Sequence, residues 1–143
     1  MQDQPDVIRI NDVDYLTDIG VIRLYAETFN EDFSALLRDE DIRQCVGSTY
    51  ARPINLMQSD SDNDIADQAA TLAYGLGANH CFKDGNKRIA WIVMAAFLEG
   101  NGYTVHHIAA RTRATWILYY CTMTRDYHPL ANILRRHTRQ IPP

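Results

Sequence analysis

The apolar run from Ile89 to Leu98 constrains the fold of this chain more than any other feature of its sequence. A helix that is apolar on nearly every face has to lie in the centre of a protein, where neighbouring elements cover it. Gly100-Asn101-Gly102 follows the run and provides a helix stop. We therefore predict a central helix from Asn86 to about Glu99, enclosed by the rest of the chain.

Most of the remaining chain is also predicted to be helical, in one all-α domain over residues 1–143. A length of 143 residues is typical of a single domain that buries its own core. Apolar residues recur at helical spacing in four further segments, Thr17–Phe29, 64–79, 109–124 and 129–137. Gly75 and Gly77 are each unfavourable inside a helix by roughly 1 kcal/mol, so we expect close packing against a neighbouring helix there.

The segments between these helices are predicted from their turn and strand residues. Asp39 can begin a short helix that Gly47 ends. Pro53 and a cluster of Ser and Asp oppose helix in residues 50–63, which we expect to form a loop or small hairpin. Short extended pieces are expected at Val7–Ile10 and Tyr103–Val105.

Charge is distributed unevenly, although the formal net charge is only −4. Residues 1–67 carry a balance of −10, whereas residues 68–143 carry +6. The negative net charge does not favour nonspecific nucleic-acid binding, so we expect no direct nucleic-acid partner. The positive half suits an anionic ligand, or else its arginines lie on solvated helix faces.

Cysteine usage and the chain start bear on the compartment. Cys45, Cys81 and Cys121 are odd in number and form no CxxC motif, which argues against a disulfide framework or a structural zinc site. The acidic first residues do not resemble a signal peptide, and no apolar run approaches the roughly 20 residues of a membrane span. We therefore expect a cytoplasmic protein that makes no contact with a membrane.

Residues 80–88, His-Cys-Phe-Lys-Asp-Gly-Asn-Lys-Arg, place polar and charged side chains directly before the central helix. Backbone N–H groups at a helix start are unpaired and the helix dipole is positive there. Gly85, Asn86, Lys87 and Arg88 therefore suit a phosphate group. Taken singly, these residues also fit a turn, a helix cap and solvated charges.

Two side chains of this loop could take part in chemistry. An imidazole such as His80 can accept a proton from an attacking hydroxyl near neutral pH, or it can be a hydrogen-bonded structural histidine. Asp84 could hold Mg²⁺, which binds one or two carboxylates together with phosphate oxygens, or it could cap the helix. Phe82 is expected to anchor the loop in the core, while Cys81 and Lys83 face away from the chemistry.

The combination resembles the signature of the Fic family, His-x-Phe-x-Asp/Glu-Gly-Asn-Gly-Arg-x-x-Arg. It is more similar to the Doc (death-on-curing) branch of that superfamily, His-x-Phe-x-Asp-Ala/Gly-Asn-Lys-Arg. The matching residues are His80, Phe82, Asp84, Gly85, Asn86, Lys87 and Arg88. Lys87 replaces the Fic glycine, and Trp91 stands where the second Fic arginine would be. Leu36-Leu37-Arg38-Asp39 with Ala51-Arg52-Pro53 is similar to a further Doc-like segment.

The resemblance implies a Fic/Doc-like (Fido) helical bundle with a small β-hairpin flap. Fic enzymes transfer AMP or related groups to protein hydroxyls, whereas Doc is a toxin that phosphorylates a threonine of elongation factor Tu. Lys87 and Trp91 favour the Doc chemistry, with ATP or another nucleoside triphosphate as co-substrate and Mg²⁺ as cofactor. A Ser/Thr-x-x-x-Glu-Gly/Asn inhibitory helix is not found, so a separate antitoxin protein is the expected partner.

The same resemblance assigns roles to individual residues. His80 would be the general base and Asp84 the Mg²⁺ ligand. The phosphate cradle would be Gly85, Asn86, Lys87 and Arg88. The flap that aligns the target backbone as an added strand would be Arg52, Pro53, Ile54 and Asn55.

Two other functions stay open at this point. Gly85 is also the Fic residue, which keeps AMP transfer as the runner-up. A non-catalytic module that binds a nucleotide or a partner through the same loop is the third reading, although the motif is complete. DNA binding by an antitoxin-like protein finds no basic helix in its support.

Overall fold

The computed structural model describes residues 5–59, 62–105, 108–117, 119 and 126–142. Helices account for most of this part of the chain: α1 (Asp18–Phe29), α2 (Phe33–Arg38), α3 (Glu40–Ser59), α4 (Ile65–Asn79), α5 (Asn86–Gly100), α6 (Ala110–Ile117) and α7 (His128–His137). The strands are β1 (Val7–Ile10), β2 (Val13–Leu16), β3 (Tyr103–Val105) and β4 (Thr138–Gln140). The predicted all-α fold is confirmed.

Helix α5 lies at the centre, as its apolar sequence predicts. Its buried apolar side chains are Ile89, Ala90, Trp91, Val93, Met94, Phe97 and Leu98. Helix α4 packs along α5, and α3 and α7 pack in turn against α4. At the far end, the amide of Asn101 donates to the carbonyls of Phe97 and Asp14, each at 2.8 Å, which joins α5 to β2. The sequence therefore placed the core correctly.

The strands form two small antiparallel pairs. In the first, β1 pairs with β2 across Asn11 and Asp12, whose φ angles of 50° and 65° fit a tight two-residue hairpin turn. In the second, β3 pairs with β4, which brings the end of α7 beside the end of α5. The predicted extended pieces at Val7–Ile10 and Tyr103–Val105 are thus confirmed, and the small hairpin is formed by β1 and β2.

Helix α3 differs from the prediction because it continues through Gly47 and Pro53 to Ser59. The predicted stop at Gly47 is therefore wrong, and the loop or hairpin predicted over 50–63 is wrong as far as Ser59. Residues 62 and 63 lie outside any helix, as predicted, and 60 and 61 lie outside the described residues. Val46, Thr49 and Pro53 recur at helical spacing and are buried. Burial of this face outweighs the local helix-breaking preference of Gly and Pro.

Close packing of α3 against α4 explains one of the two unusual glycines. A Cβ atom on Gly75 would lie 2.7 Å from Cγ2 of Thr49 and 3.2 Å from Cδ of Arg52. Real Cβ atoms essentially never approach another atom to 2.7 Å, so a side chain at position 75 would force α3 and α4 to shift. The predicted reason for Gly75 is confirmed.

An ion-pair network joins the start of α4 to α7. Asp64 caps α4 and forms a capping box with Asp67. Arg135 of α7 reaches back to both carboxylates, at 2.7 Å to Asp64 and 2.6 Å to Asp67. Hydrogen bonding from Arg135 is the main cause that lowers the pKa of Asp64.

The remaining helix predictions agree with the structure where it can be compared. Helices α1, α4 and α7 begin and end within two residues of their predicted bounds. Helix α6 is observed to Ile117, and most of the rest of predicted segment 109–124, with Cys121, lies outside the described residues. Within the described ranges, no helix has the length and apolar character needed to cross a membrane.

Candidate functional site

Residues 80–88, called the motif loop below, lead from the end of α4 into the first residues of α5. Two of its residues adopt left-handed backbone conformations, with φ at 51° for His80 and 75° for Gly85. His80 ends α4 as its C-cap and Gly85 begins α5 as its N-cap. Two sharp changes of direction therefore form the loop, and the first of them is occupied by a histidine rather than glycine.

Asn86 holds the loop closed through its side chain. Its Oδ1 accepts a hydrogen bond from the Phe82 N–H at 2.9 Å, and its Nδ2 donates to the Phe82 carbonyl at 2.7 Å. Asn86 is 8% exposed, so both hydrogen bonds are shielded from water. The amide is engaged with the loop backbone, and its predicted contact with phosphate stays a prediction.

Aromatic side chains of α1 support the loop from behind. Phe82 stacks on Tyr25, with ring centroids 3.9 Å apart and planes 4° from parallel, and Tyr25 in turn contacts Phe29. The Tyr25 hydroxyl donates to the Asp84 carbonyl at 2.9 Å. Burial, with smaller contributions from the carboxylates of Glu31 and Asp84, raises the pKa of Tyr25, so its phenol stays protonated as a donor.

The predicted anchoring role of Phe82 is confirmed, since it is 4% exposed within the core. Tyr25 and Phe29 were not singled out from the sequence as part of the site. They stand four residues apart in α1 and look like ordinary core positions. Only their position behind the loop distinguishes them.

Gly85 is required by the same aromatic support. A Cβ atom at this position would lie 2.5 Å and 2.7 Å from two ring carbons of Phe29. The added atom would point toward α1, and the positive φ would strain any residue with a side chain. Glycine at position 85 therefore allows the loop to pack against α1.

The opposite side of the loop presents exposed functional groups. His80, Asp84, Lys87 and Arg88 are all exposed. No side chain of the described residues caps α5, so its first backbone N–H groups suit an anion. The Arg88 guanidinium lies 5.1 Å from the centroid of the Phe29 ring, which keeps this cation beside the start of the helix.

The Asp84 carboxylate suits a magnesium ion bound together with a nucleotide. Its alternative role as the helix cap is excluded because Gly85 is the N-cap and no side-chain cap is made. Among the described residues, no hydrogen bond or ion pair engages this carboxylate. No group of three or more His, Cys, Asp or Glu side chains in that part of the chain could hold a metal ion alone. One free carboxylate fits Mg²⁺ that completes its shell with phosphate oxygens and water.

Cys81 takes part in a disulfide, although the odd number and wide spacing of the cysteines argued against a disulfide framework. It is bonded to Cys45 of α3, with the two Cα atoms 5.4 Å apart. The cysteines are 36 residues apart, and they meet because α3 lies beside the end of α4. Their odd number and scattered positions gave no sign of this pairing. The disulfide links the motif loop to a neighbouring helix at the residue after His80.

The predicted flap residues lie in α3 rather than in a loop. Arg52, Pro53, Ile54 and Asn55 are all helical, and Pro53 is buried. A helix uses its own backbone N–H and C=O groups internally, so this conformation offers no edge for an added strand. The role of these residues in target docking is not tested by their position.

Most of the chain, including this loop, matches a known protein family. The model of the Fic/DOC family matches residues 6–98, which include α1, the disulfide, the motif loop and most of α5. The chain belongs to the Fic/DOC family. Neither curated proteins nor solved structures gave a match.

Membership indicates the general activity of the chain. Fic/DOC proteins are protein-modifying transferases that act on protein substrates with nucleotides, and they generally use a nucleoside triphosphate with Mg²⁺. The residues of the loop that match the signature divide into two sets. Phe82, Gly85 and the Asn86 side chain face the protein, whereas His80 and Asp84 face solvent.

Proposed function

We propose that this protein is a Doc-like toxin that transfers the terminal phosphate of ATP, or of another nucleoside triphosphate, to a hydroxyl side chain of a target protein. The observation that carries the proposal is the arrangement at the start of α5. An exposed His80 and an unengaged Asp84 carboxylate flank an uncapped helix N-terminus with two cations, Lys87 and Arg88. Lys87 stands at the position that distinguishes the Doc pattern from the Fic pattern.

The reaction follows from these groups. The oxygen of the target hydroxyl attacks the γ-phosphorus, the bond from that phosphorus to the bridging oxygen breaks, and the nucleoside diphosphate leaves. The His80 imidazole accepts the proton that the hydroxyl loses. The α5 N–H groups, Lys87 and Arg88 stabilise the charge that develops on the phosphoryl oxygens. Magnesium held by Asp84 would neutralise further phosphate charge when it is bound.

AMP transfer of the Fic type is the second candidate. Its support from the sequence was Gly85, which is also the Fic residue. The contact with Phe29 gives Gly85 a structural reason that does not depend on the nucleotide. Lys87 therefore carries more weight in the choice, and it favours phosphate transfer.

Partners and compartment are part of the proposal. A cytoplasmic translation factor such as elongation factor Tu is the expected protein substrate. A separate antitoxin protein is the expected inhibitor, since no inhibitory helix motif is recognised in the sequence. A short antitoxin-like reading frame beside the gene would support this part.

Parallel labelling with γ-³²P and α-³²P ATP tests the proposal. Purified protein, Mg²⁺ and either elongation factor Tu or a bacterial lysate are incubated with each nucleotide. We expect label on a protein hydroxyl from the γ position alone, and we expect His80→Ala to lower the rate by about 100-fold or more. His128→Ala removes another exposed histidine, from the start of α7, and serves as the matched control.

Label from the α position would overturn phosphate transfer in favour of AMP transfer. If no nucleotide gives any label while calorimetry still detects nucleotide binding, the chain is a binding module instead. If His128→Ala lowers labelling as strongly as His80→Ala, the assignment of His80 as the base fails.

A further inference from the structure

The disulfide between Cys45 and Cys81 fixes a part of the loop that the other contacts leave unrestrained. Asn86 holds the backbone of Phe82, and Tyr25 holds the carbonyl of Asp84. Both of these restraints act after Cys81 in the chain. The covalent bond to α3 is the restraint that acts on the residue directly after His80.

His80 needs such a restraint because of its backbone. A non-glycine residue at φ 51° occupies a sparsely populated region, which persists only where the surroundings hold it. In the described part of the chain, no hydrogen bond engages the imidazole. Asn79 precedes His80, and its side chain donates a hydrogen bond to the Thr49 hydroxyl of α3. This hydrogen bond is long, at 3.4 Å. His80 therefore lies between the end of α4 and Cys81, and the disulfide is the covalent restraint on this stretch.

We propose that the Cys45–Cys81 bond is a redox-responsive tether that sets the position of His80, so that the oxidised protein is the more active form. The effect on activity rests on the proposed role of His80 as the base. Disulfides in a reducing compartment are usually transient and redox-sensing rather than permanent. Such a bond can respond in this way because one of its two cysteines, Cys45, is only half-buried.

The exchange reaction balances with a small thiol such as glutathione. Cys45 is the accessible partner because it is half-buried, whereas Cys81 is 8% exposed. A glutathione thiolate bonds to the Cys45 sulfur, the disulfide breaks, and the electron pair goes to the Cys81 sulfur, which takes a proton from water. A second thiolate attacks the glutathione sulfur and releases Cys45 together with oxidised glutathione. Oxidised glutathione drives the reverse reaction.

The first measurement is the redox state itself. The wild-type protein is equilibrated in mixtures of reduced and oxidised glutathione, its free thiols are alkylated, and its mass is read by mass spectrometry. We expect the Cys45–Cys81 bond to open and close within mixtures of cytosolic composition. A bond that stays closed throughout is a permanent crosslink and overturns the proposal.

The second measurement is the mobility of the loop, which does not depend on catalysis. We expect reduction to speed amide hydrogen exchange at His80 and Cys81 by about tenfold. The Phe82 amide is the internal reference, since Asn86 protects it in both states. Equal exchange at His80 in the two states would overturn the tether.

The third measurement is phosphate transfer in both redox states. A displaced base lowers the rate steeply, and we expect a loss of about tenfold or more on reduction. The transfer rate of Cys45→Ser should equal that of the reduced wild type under both oxidising and reducing conditions. Cys121→Ser should lose activity on reduction as the wild type does. If circular dichroism shows that Cys45→Ser does not fold, reduced wild-type protein is used in its place.

The outcomes separate this proposal from the proposed function. Equal or higher activity of the reduced protein overturns the tether while leaving transfer intact. If neither redox state transfers phosphate, the proposed function fails, and the exchange at His80 alone decides whether the tether is correct.

Discussion

A single methyl group at Gly85 tests how tightly α1 supports the motif loop. In Gly85→Ala the new Cβ would lie 2.5 Å and 2.7 Å from ring carbons of Phe29. The left-handed backbone at φ 75° costs a residue with a side chain about 1–2 kcal/mol. The steric conflict adds about 1–3 kcal/mol, as in other overpacked sites. We therefore expect Gly85→Ala to lower the free energy of unfolding by about 2–5 kcal/mol in total.

A second substitution separates the two contributions. Phe29→Leu removes the ring that the methyl group meets, so in that background Gly85→Ala should cost only the backbone part, about 1–2 kcal/mol. The double-mutant cycle should then give a coupling of about 1–3 kcal/mol. Gly47→Ala is the matched control, because a Cβ there meets nothing within 4 Å inside α3. It should stabilise the protein by about 0.5–1 kcal/mol.

Urea unfolding followed by circular dichroism compares these variants with the wild type. The slope of each transition has to stay constant for the free energies to be compared. A cost for Gly85→Ala below about 0.5 kcal/mol would refute the close contact with Phe29. An equal cost of Gly85→Ala in the wild-type and Phe29→Leu backgrounds would leave backbone strain as the whole effect and refute the steric part.

Two further predictions concern contacts that hold the loop and α4. Asn86→Ala leaves the N–H and the carbonyl of Phe82 buried without partners, so it should lower the free energy of unfolding in urea by about 2–4 kcal/mol. Asn55→Ala, at an exposed position, is the control and should change it by less than about 0.5 kcal/mol. Arg135 lowers the pKa of Asp64 in the folded state, so this contribution is present above the unfolded pKa and is lost as the pH falls through the folded value. In Asp64→Asn, the free energy of unfolding should therefore fall less steeply between about pH 5 and pH 3 than in the wild type. The difference should be less than about 1 kcal/mol because the pair is half-exposed. An acid profile equal to that of the wild type would contradict this prediction.

Local patterns in the sequence predicted the centre of the fold and the location of the site. The run from Ile89 to Leu98 is apolar on nearly every face, and no other placement than the core satisfies it. The loop before it was recognised by its composition and by resemblance to a motif. Both signals are contained in fewer than twenty consecutive residues, so no knowledge of tertiary contacts was needed.

Tertiary contacts decided the features that the sequence did not predict. Helix α3 passes through Gly47 and Pro53 because Val46 and Thr49 are buried on the same face. The pairing of Cys45 with Cys81 depends on where α3 lies relative to the end of α4, which no local pattern encodes. The roles of Tyr25 and Phe29 likewise depend on the distance between α1 and the loop.

The support of the loop from behind has a consequence for how such a protein can diversify. Phe82, Gly85 and Asn86 carry the contacts that give the loop its shape, and all of them face inward. Positions 83 and 87, which are exposed and are not fixed across the two signatures, can exchange residues without disturbing those contacts. Substitution at these exposed positions can thus change which phosphate donor, metal ion or acceptor protein the loop binds, while the fold is conserved.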